Sequence, residues 1–429
     1  MLLLTACSSG SKDKLGGAIE NCPSVGDLTV EFIQPAFSTS GLCQISGTLT
    51  RSAVLSAGVD WRLDGVVQVG DANTNPVLVV EPGATLKGNI ESGVVEYLYV
   101  LPGASLQAIG TRAQPIIFSS NDENFDLDPG SLNGEWGGVV LEDNLGSTTS
   151  IRLEYVIISE AGAAVAIGGK NYAANLSLQG DHADTRLRYV QAHGSGGDGV
   201  SLTADSSANI ARLEWLLVTG TSRDSLHLHN FSGLVKDFLA IHLPGIFSDA
   251  TGQGGRSGIR AGGSMSAPLV LNATLVGGDT SSEVPGPASR EFGILFEEQI
   301  STARLANIAI ANFRHGCYEV GTDVDLSGMA LNSNPLSDTN FVDGIHCLNE
   351  NTGADVLGIV RAGGVDIPAS LQGFNTNGDG LRGYSSGNNV RFAGESGSAN
   401  LASTFTASWF VENIAGFSNA SGGLKRYNS

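Results

Sequence analysis

Residues 77–88 read Val-Leu-Val-Val-Glu-Pro-Gly-Ala-Thr-Leu-Lys-Gly, and residues 98–108 read Leu-Tyr-Val-Leu-Pro-Gly-Ala-Ser-Leu-Gln-Ala. Each stretch is a short apolar run, a Pro-Gly turn and a second short run. Val and Leu favour a buried, pleated strand, and Pro followed by Gly favours a tight turn. The Pro-Gly-Ala phrase recurs after about 20 residues, which is the length of one coil of a solenoid. The sequence therefore predicts stacked coils of short strands.

The coils that follow carry two further phrases, Gly-Thr-Arg-Ala-Gln-Pro-Ile-Ile-Phe-Ser-Ser at residues 110–120 and Gly-Glu-Trp-Gly-Gly at residues 134–138. With the Pro-Gly-Ala-Thr-Leu phrase, they make the chain resemble the pectate-lyase-like, right-handed parallel β-helix domains of bacterial surface lipoproteins. The resemblance implies an all-β fold, namely a single right-handed parallel β-helix closed by N- and C-terminal caps. Such a fold does not by itself specify an activity.

Composition and repeats predict how the chain is divided. Glycine makes up 58 of 429 residues, almost twice its ordinary usage, as a chain with many tight corners requires. Residues 1–7 read as the remnant of a lipoprotein signal and residues 8–41 as a tether and N-terminal cap. Residues 42–372 read as the β-helix, and residues 373–429 as the C-terminal cap.

A second repeated phrase predicts which side chains stack in columns from coil to coil. It starts at Arg152, Arg186, Arg212, Leu234, Leu269 and Arg304. Its second position forms an apolar column, predicted as core: Leu153, Leu187, Leu213, Val235, Val270 and Leu305. Two residues further on lies a column of aromatic and then Asp or Asn residues: Tyr155, Tyr189, Trp215, Asp237, Asn272 and Asn307. Because it shares parity with the core column, we predict an internal stack, the alternative being a sugar-binding aromatic strip.

The N-terminal residues resemble the end of a bacterial lipoprotein signal. Leu4-Thr-Ala-Cys7 is similar to the lipobox, and a polar stretch follows it. The resemblance implies that Cys7 is acylated and that the protein is anchored by lipid in the outer membrane, on the cell surface or the periplasmic face. The lipid would be its only membrane contact.

Four more cysteines occur in two local pairs. Cys22 and Cys43 flank the entry to the first coils, and Cys317 and Cys347 lie near the other end. Local disulfides between the members of each pair fit an oxidising compartment. A metal site is the weaker interpretation, because the spacing of metal-binding cysteine motifs is absent.

The strand facing the core column predicts an outward polar patch. If Leu226 and Leu228 point inward, His227 and His229 must point outward, because strand side chains alternate. The same alternation places Arg260 and Glu297 outside, with carboxylates at the preceding corners. The patch predicted to bind a ligand is Asp198, Asp224, His227, His229, Arg260 and Glu297. Such a patch could bind an anionic sugar or hold a metal, although exposed polar residues often have no such role.

An acidic loop offers oxygen ligands for a cation. Asp122, Glu123, Asp126 and Asp128 lie within seven residues, and Ca²⁺ takes six to eight oxygens. Calcium is the one cofactor that the sequence suggests. The alternative is a solvated loop, because the spacing matches no established calcium motif.

The net charge of the chain indicates which classes of partner are expected. The chain carries a formal charge of −20, so nucleic acid is not an expected partner. A polysaccharide or another surface protein is expected instead. The leading hypothesis is a non-catalytic lipoprotein of the outer membrane or cell surface that presents a rigid β-helix for ligand binding or adhesion. The alternative is a polysaccharide lyase or hydrolase on the same scaffold.

Overall fold

The computed structural model describes residues 21–34, 41–91, 93–121, 134–242, 256–277, 291–300, 302–311, 313 and 316–324, together with short strands beyond residue 340. In chain order the strands are β1 (Thr29–Ile33), β2 (Leu42–Leu49), β3 (Ala53–Leu55), β4 (Asp60–Val69), β5 (Val77–Val80), β6 (Thr85–Gly88), β7 (Ile90–Glu91), β8 (Val94–Val95), β9 (Tyr97–Val100), β10 (Ser105–Ile109), β11 (Ile116–Ser120), β12 (Val139–Glu142), β13 (Ile151–Ser159), β14 (Val165–Ile167), β15 (Lys170–Tyr172), β16 (Ala174–Gln179), β17 (Thr185–Ser195), β18 (Asp198–Thr203), β19 (Arg212–Thr221), β20 (Leu226–His229), β21 (Leu234–Ile241), β22 (Ile259–Gly262), β23 (Leu269–Val276), β24 (Phe292–Phe296), β25 (Arg304–Ala311), β26 (Gly316–Val320), β27 (Phe341–Val342), β28 (Ile345–Asn349), β29 (Ala354–Asp355), β30 (Ile359–Arg361), β31 (Tyr384–Ser385) and β32 (Asn389–Val390).

Parallel pairing between successive coils builds the body of the protein. One face, called the first face here, stacks β9, β12, β16, β18, β20, β22, β24 and β26, each paired with the next. The long strands β13, β17, β19, β21, β23 and β25 bend at a corner, and their two halves supply the second and third faces. The described residues contain no α-helix. The predicted all-β parallel β-helix is confirmed.

The core lies between the three faces and follows the predicted register. Leu153, Leu187 and Leu213 are aligned from coil to coil and at most 1% exposed. Val235, Val270 and Leu305 continue the column with the same burial. Side chains that alternate along each strand therefore place one apolar row per strand inside the helix.

The aromatic column lies at the corner between the second and third faces, not inside the core. Tyr155, Tyr189 and Trp215 have φ values of 50°, 54° and 59° and are partly exposed. Their rings do stack, with centroids 4.6 and 5.9 Å apart. The predicted internal position is wrong because a left-handed residue turns the chain and breaks the alternation. Asp237 has the same left-handed backbone, and the side chains of Asn272 and Asn307 lie outside the described residues.

The N-terminal strand β1 runs antiparallel to β2 at the start of the helix. A disulfide joins Cys22 to Cys43, with their Cα atoms 5.6 Å apart, so this predicted pair is confirmed. The side chains of Cys317 and Cys347 lie outside the described residues, and their pairing stays a prediction. Cys7 also lies outside them, as does most of the expected C-terminal cap. Among the described residues, none forms a helix long and apolar enough to span a membrane.

Candidate functional site

The outward side of the first face carries two polar columns. Register aligns Ser201 with His227 and Arg260, and Thr203 with His229. All of these side chains are partly exposed. The intervening Leu226 and Leu228 are fully buried, so the predicted alternation of these strands is confirmed.

Two carboxylates are buried beneath these columns. Asp198, at the start of β18, is 3% exposed, and Asp224 is fully buried. The N–H of Asp224 donates to Asp198 Oδ1 at 3.2 Å. Asp224 Oδ1 in turn accepts the N–H of Ser257 at 2.7 Å. The pair is therefore fixed by backbone hydrogen bonds that run from one coil to the next.

Asp198 keeps its charge because Arg223 and His227 lie beside it. Arg223 Nε is 3.4 Å from its carboxylate, and His227 Nδ1 is 3.5 Å away. Burial alone would raise the pKa of Asp198, but the hydrogen bond from His227 and the charge of Arg223 outweigh burial and lower the pKa. An ionised carboxylate that is buried needs such partners.

Asp224 behaves in the opposite way. Burial, followed by the negative charge of Asp198, raises the pKa of Asp224 to about 7. Its Oδ2 atom has no hydrogen-bond partner, and Arg260 Nη1 is 3.8 Å away. Two carboxylates close together cannot both ionise easily. Asp224 is therefore protonated below about pH 7, while Asp198 stays ionised.

The raised pKa of Asp224 predicts a pH dependence of stability. Between about pH 4 and pH 7, the folded protein keeps a proton on Asp224 that the unfolded chain has released. The contribution to folding is therefore full below the ordinary pKa of 3.8 and is lost as the pH rises towards about 7. We expect the melting temperature of Asp224→Asn relative to wild type to rise between about pH 5 and pH 7.5.

Thermal melts of both proteins across that range test this. Burial also raises the pKa of Glu96 to about 7, and the pKa of His229 is raised as well. Both groups therefore make the stability of the folded protein fall as the pH rises, as Asp224 does. The difference between the two proteins removes these shared contributions. A constant difference across the range would contradict the assignment of the proton to Asp224.

Arg260 is held by carboxylates on three sides. Its guanidinium hydrogen-bonds Glu297, and it lies 3.6 Å from Glu298 and 3.8 Å from Asp224. Burial works against the charge on Arg260, but the negative charges of Asp224 and Glu297 outweigh burial and raise its pKa. This guanidinium is therefore a fixed cation.

His229 forms a close pair with Glu298. Its Nδ1 lies 2.6 Å from Glu298 Oε2. The hydrogen bond that His229 donates to Glu298 raises the pKa of His229 and lowers the pKa of Glu298. Each charge thus stabilises the other.

An open depression of about 500 Å³ lies beside this pair. Its lining is polar: His229, Asn230, Gly263, Ser264, Glu298, Gln299 and Asp323. Glu298 and Gln299 are consecutive left-handed residues with φ of 54° and 64°. Few non-glycine residues adopt this backbone, and no local pattern in the sequence indicates it. Sequence reasoning therefore missed Glu298 and Asp323 as neighbours of His229.

A hairpin formed by β14 and β15 packs on the same outward side. Val165 and Tyr172 contact Tyr99 and Val140 in an apolar cluster, and the hydroxyls of both tyrosines donate to Glu142. At the other end of the hairpin, Lys170 lies 2.5 Å from Asp205, in the loop after β18. The hairpin thus covers the outward side of the first face at β9 and β12. The sequence did not predict it.

The structure brings the six predicted patch residues into one connected network: Asp198, Asp224, His227, His229, Arg260 and Glu297. Their role in binding stays a prediction. In the described part of the chain, no group of three or more His, Cys, Asp or Glu residues is arranged to hold a metal. The predicted calcium loop, Asp122, Glu123, Asp126 and Asp128, lies outside the described residues.

Part of the chain is similar to a known family of β-helix domains. Residues 47–142 match a family model described as a pectate-lyase like beta helix domain. No curated protein and no solved structure matches the chain. The parallel pairing found in the matched residues continues coil by coil to β26. Residues 47–142 are therefore similar to a pectate-lyase-like β-helix domain, and the coils after them continue the same parallel pairing.

Proposed function

We propose that this protein is a non-catalytic binding protein whose rigid β-helix presents the polar depression at His229 to a glycan. We further propose that it does so as a lipoprotein of the outer membrane. The observation that carries the proposal is the ion pairing of Arg260, whose charge is balanced by Glu297 and Glu298. The site is thus arranged to keep its charges and not to exchange protons with a substrate.

A lyase or hydrolase needs an accessible acid or base whose pKa lies near the working pH. Arg260 does not meet this need, because its pKa is raised above its already high ordinary value. Asp224 has a suitable pKa, but its side chain is fully buried and has no access to a substrate. Neither Arg260 nor Asp224 therefore meets this need, and the imidazole of His229, which is partly exposed, is already engaged by Glu298.

The depression is suited to a ligand rich in hydroxyl groups. Its lining combines carboxylates, side-chain amides, a hydroxyl and an imidazole, which together can accept from and donate to sugar hydroxyls. His229 and Glu298 are already paired, and His229 stands on a strand held in register by both neighbouring coils. A preformed site loses little conformational entropy on binding.

The proposed location rests on the N-terminal residues. The resemblance of residues 4–7 to a lipobox supports acylation of Cys7. The disulfide between Cys22 and Cys43 supports an oxidising compartment, because disulfides are rare in a reducing cytosol. The net charge of −20 argues against nucleic acid as the ligand.

A glycan array, probed with the purified protein with and without Ca²⁺, tests the proposed function. We expect binding to at least one glycan, and loss of most of that binding in His229→Ala. Gln107→Ala, a partly exposed change on the second face, is the matched control and should bind as wild type. The bound glycan is then incubated with the protein and assayed for new reducing ends and unsaturated sugars. Formation of either product would support the lyase or hydrolase instead, and binding to no glycan would refute the proposed function.

A further inference from the structure

The charges that line the depression are mainly negative. Its two carboxylates belong to Glu298 and Asp323, and its one basic group is the imidazole of His229. That imidazole is engaged by Glu298 at 2.6 Å. Asp323 is exposed and makes no hydrogen bond or ion pair with the described residues. Among the described residues, the lining thus offers a ligand one carboxylate that no cation neutralises.

The groups around the depression do not reverse this balance. Arg260 reaches Glu298 at 3.6 Å, but it also hydrogen-bonds Glu297. Lys170, in the hairpin of β14 and β15, is paired with Asp205. These two cations of the described residues are therefore matched by carboxylates of their own, and the chain as a whole carries −20. An acidic sugar entering the depression would meet charge of its own sign.

We propose that the ligand is a glycan carrying protonated amino groups, and that Asp323 forms the ion pair with one of them. This inference rests on the proposed function, since it names the class of glycan that the depression binds. Glu298, which lines the same depression, is a second acceptor for the ammonium group. Two other lining residues, Ser264 and Gln299, offer hydrogen bonds to the hydroxyl groups of the same sugar.

Calorimetric titration with two matched probes tests the inference. The probes are the β-1,4-linked tetramer of glucosamine and the same tetramer fully N-acetylated, both at about pH 6 and low ionic strength, where an exposed ion pair is least screened. We expect the amino form to bind at least about tenfold more tightly, which corresponds to about 1.4 kcal/mol. Added salt should weaken the binding of the amino form alone.

Asp323→Asn should reduce the preference for the amino form to near unity while leaving the far-UV spectrum unchanged, because Asp323 is exposed. Asp64→Asn removes another exposed carboxylate, in β4, and should keep the preference. Equal binding of both probes, or binding of acidic glycans only, would refute the amino-glycan inference and leave the proposed function standing. Binding of no glycan on the array would refute the proposed function itself.

Discussion

Leu106→Asp is expected to lower the free energy of unfolding by several kcal/mol, because it places a carboxylate in the packed interior of the β-helix without a partner. Leu106 is fully buried, as are Leu78 and Ile151, its register partners in the coils on either side. Gln107→Asp, one residue further along β10, is expected to change stability by less than about 0.5 kcal/mol. Gln107 is partly exposed and aligned with Arg152.

Urea denaturation followed by circular dichroism measures both variants against wild type. Because a solenoid can unfold in segments, the midpoints of the first transition should be compared instead of a single extrapolated free energy. The two substitutions introduce the same side chain into neighbouring positions, so local sequence and charge are controlled. A destabilised Gln107→Asp with an unchanged Leu106→Asp would mean that the strand register is shifted by one residue.

Arg256→Met is expected to cost about 3–5 kcal/mol, because it leaves the carboxylate of Glu291 buried without its ion-pair partner. Arg256 Nη1 lies 3.3 Å from Glu291 Oε1, and the two residues are 2% and 3% exposed. Buried pairs of this kind are strongly destabilised by removing one partner. The double variant Arg256→Met with Glu291→Leu is expected to recover most of the loss, because neither charge then remains.

Thermal unfolding of wild type, the single variant and the double variant measures this coupling. The double variant is the control for packing, since Met and Leu replace the volume of the charged side chains with apolar atoms. A double variant as unstable as the single variant would show that the ion pair is not the cause. An unaffected single variant would show that Glu291 is hydrated or neutral after the substitution.

Part of the candidate site could be predicted from the alternation of side chains along a single strand. Once Leu226 and Leu228 are placed inward, His227 and His229 must face outward, and the structure shows them so. Their alignment with Arg260 also followed, because parallel strands in successive coils stack in register. The burial of Asp198 and Asp224 could not be predicted in this way, because a residue at the end of a strand need not continue the alternation of the strand.

The depression itself depends on contacts between distant residues. Glu298 reaches His229 across 69 positions of the sequence, and Asp323 enters from the coil after that. Coils of unequal length separate them, so no fixed repeat predicts which corner residues become neighbours. The left-handed backbone at Glu298 points the side chain in a direction that a strand pattern does not predict.

The stacked coils, the inward apolar rows and the local disulfide between Cys22 and Cys43 could be predicted from the sequence, because each depends on a short period or a short separation. The contacts between charged residues, the position of Tyr155 and its stacked neighbours, and the burial of Asp224 beside a second carboxylate could be seen only in the folded chain. Those outcomes depend on corner conformations and on distances between coils. Neither is encoded in a local pattern of residues.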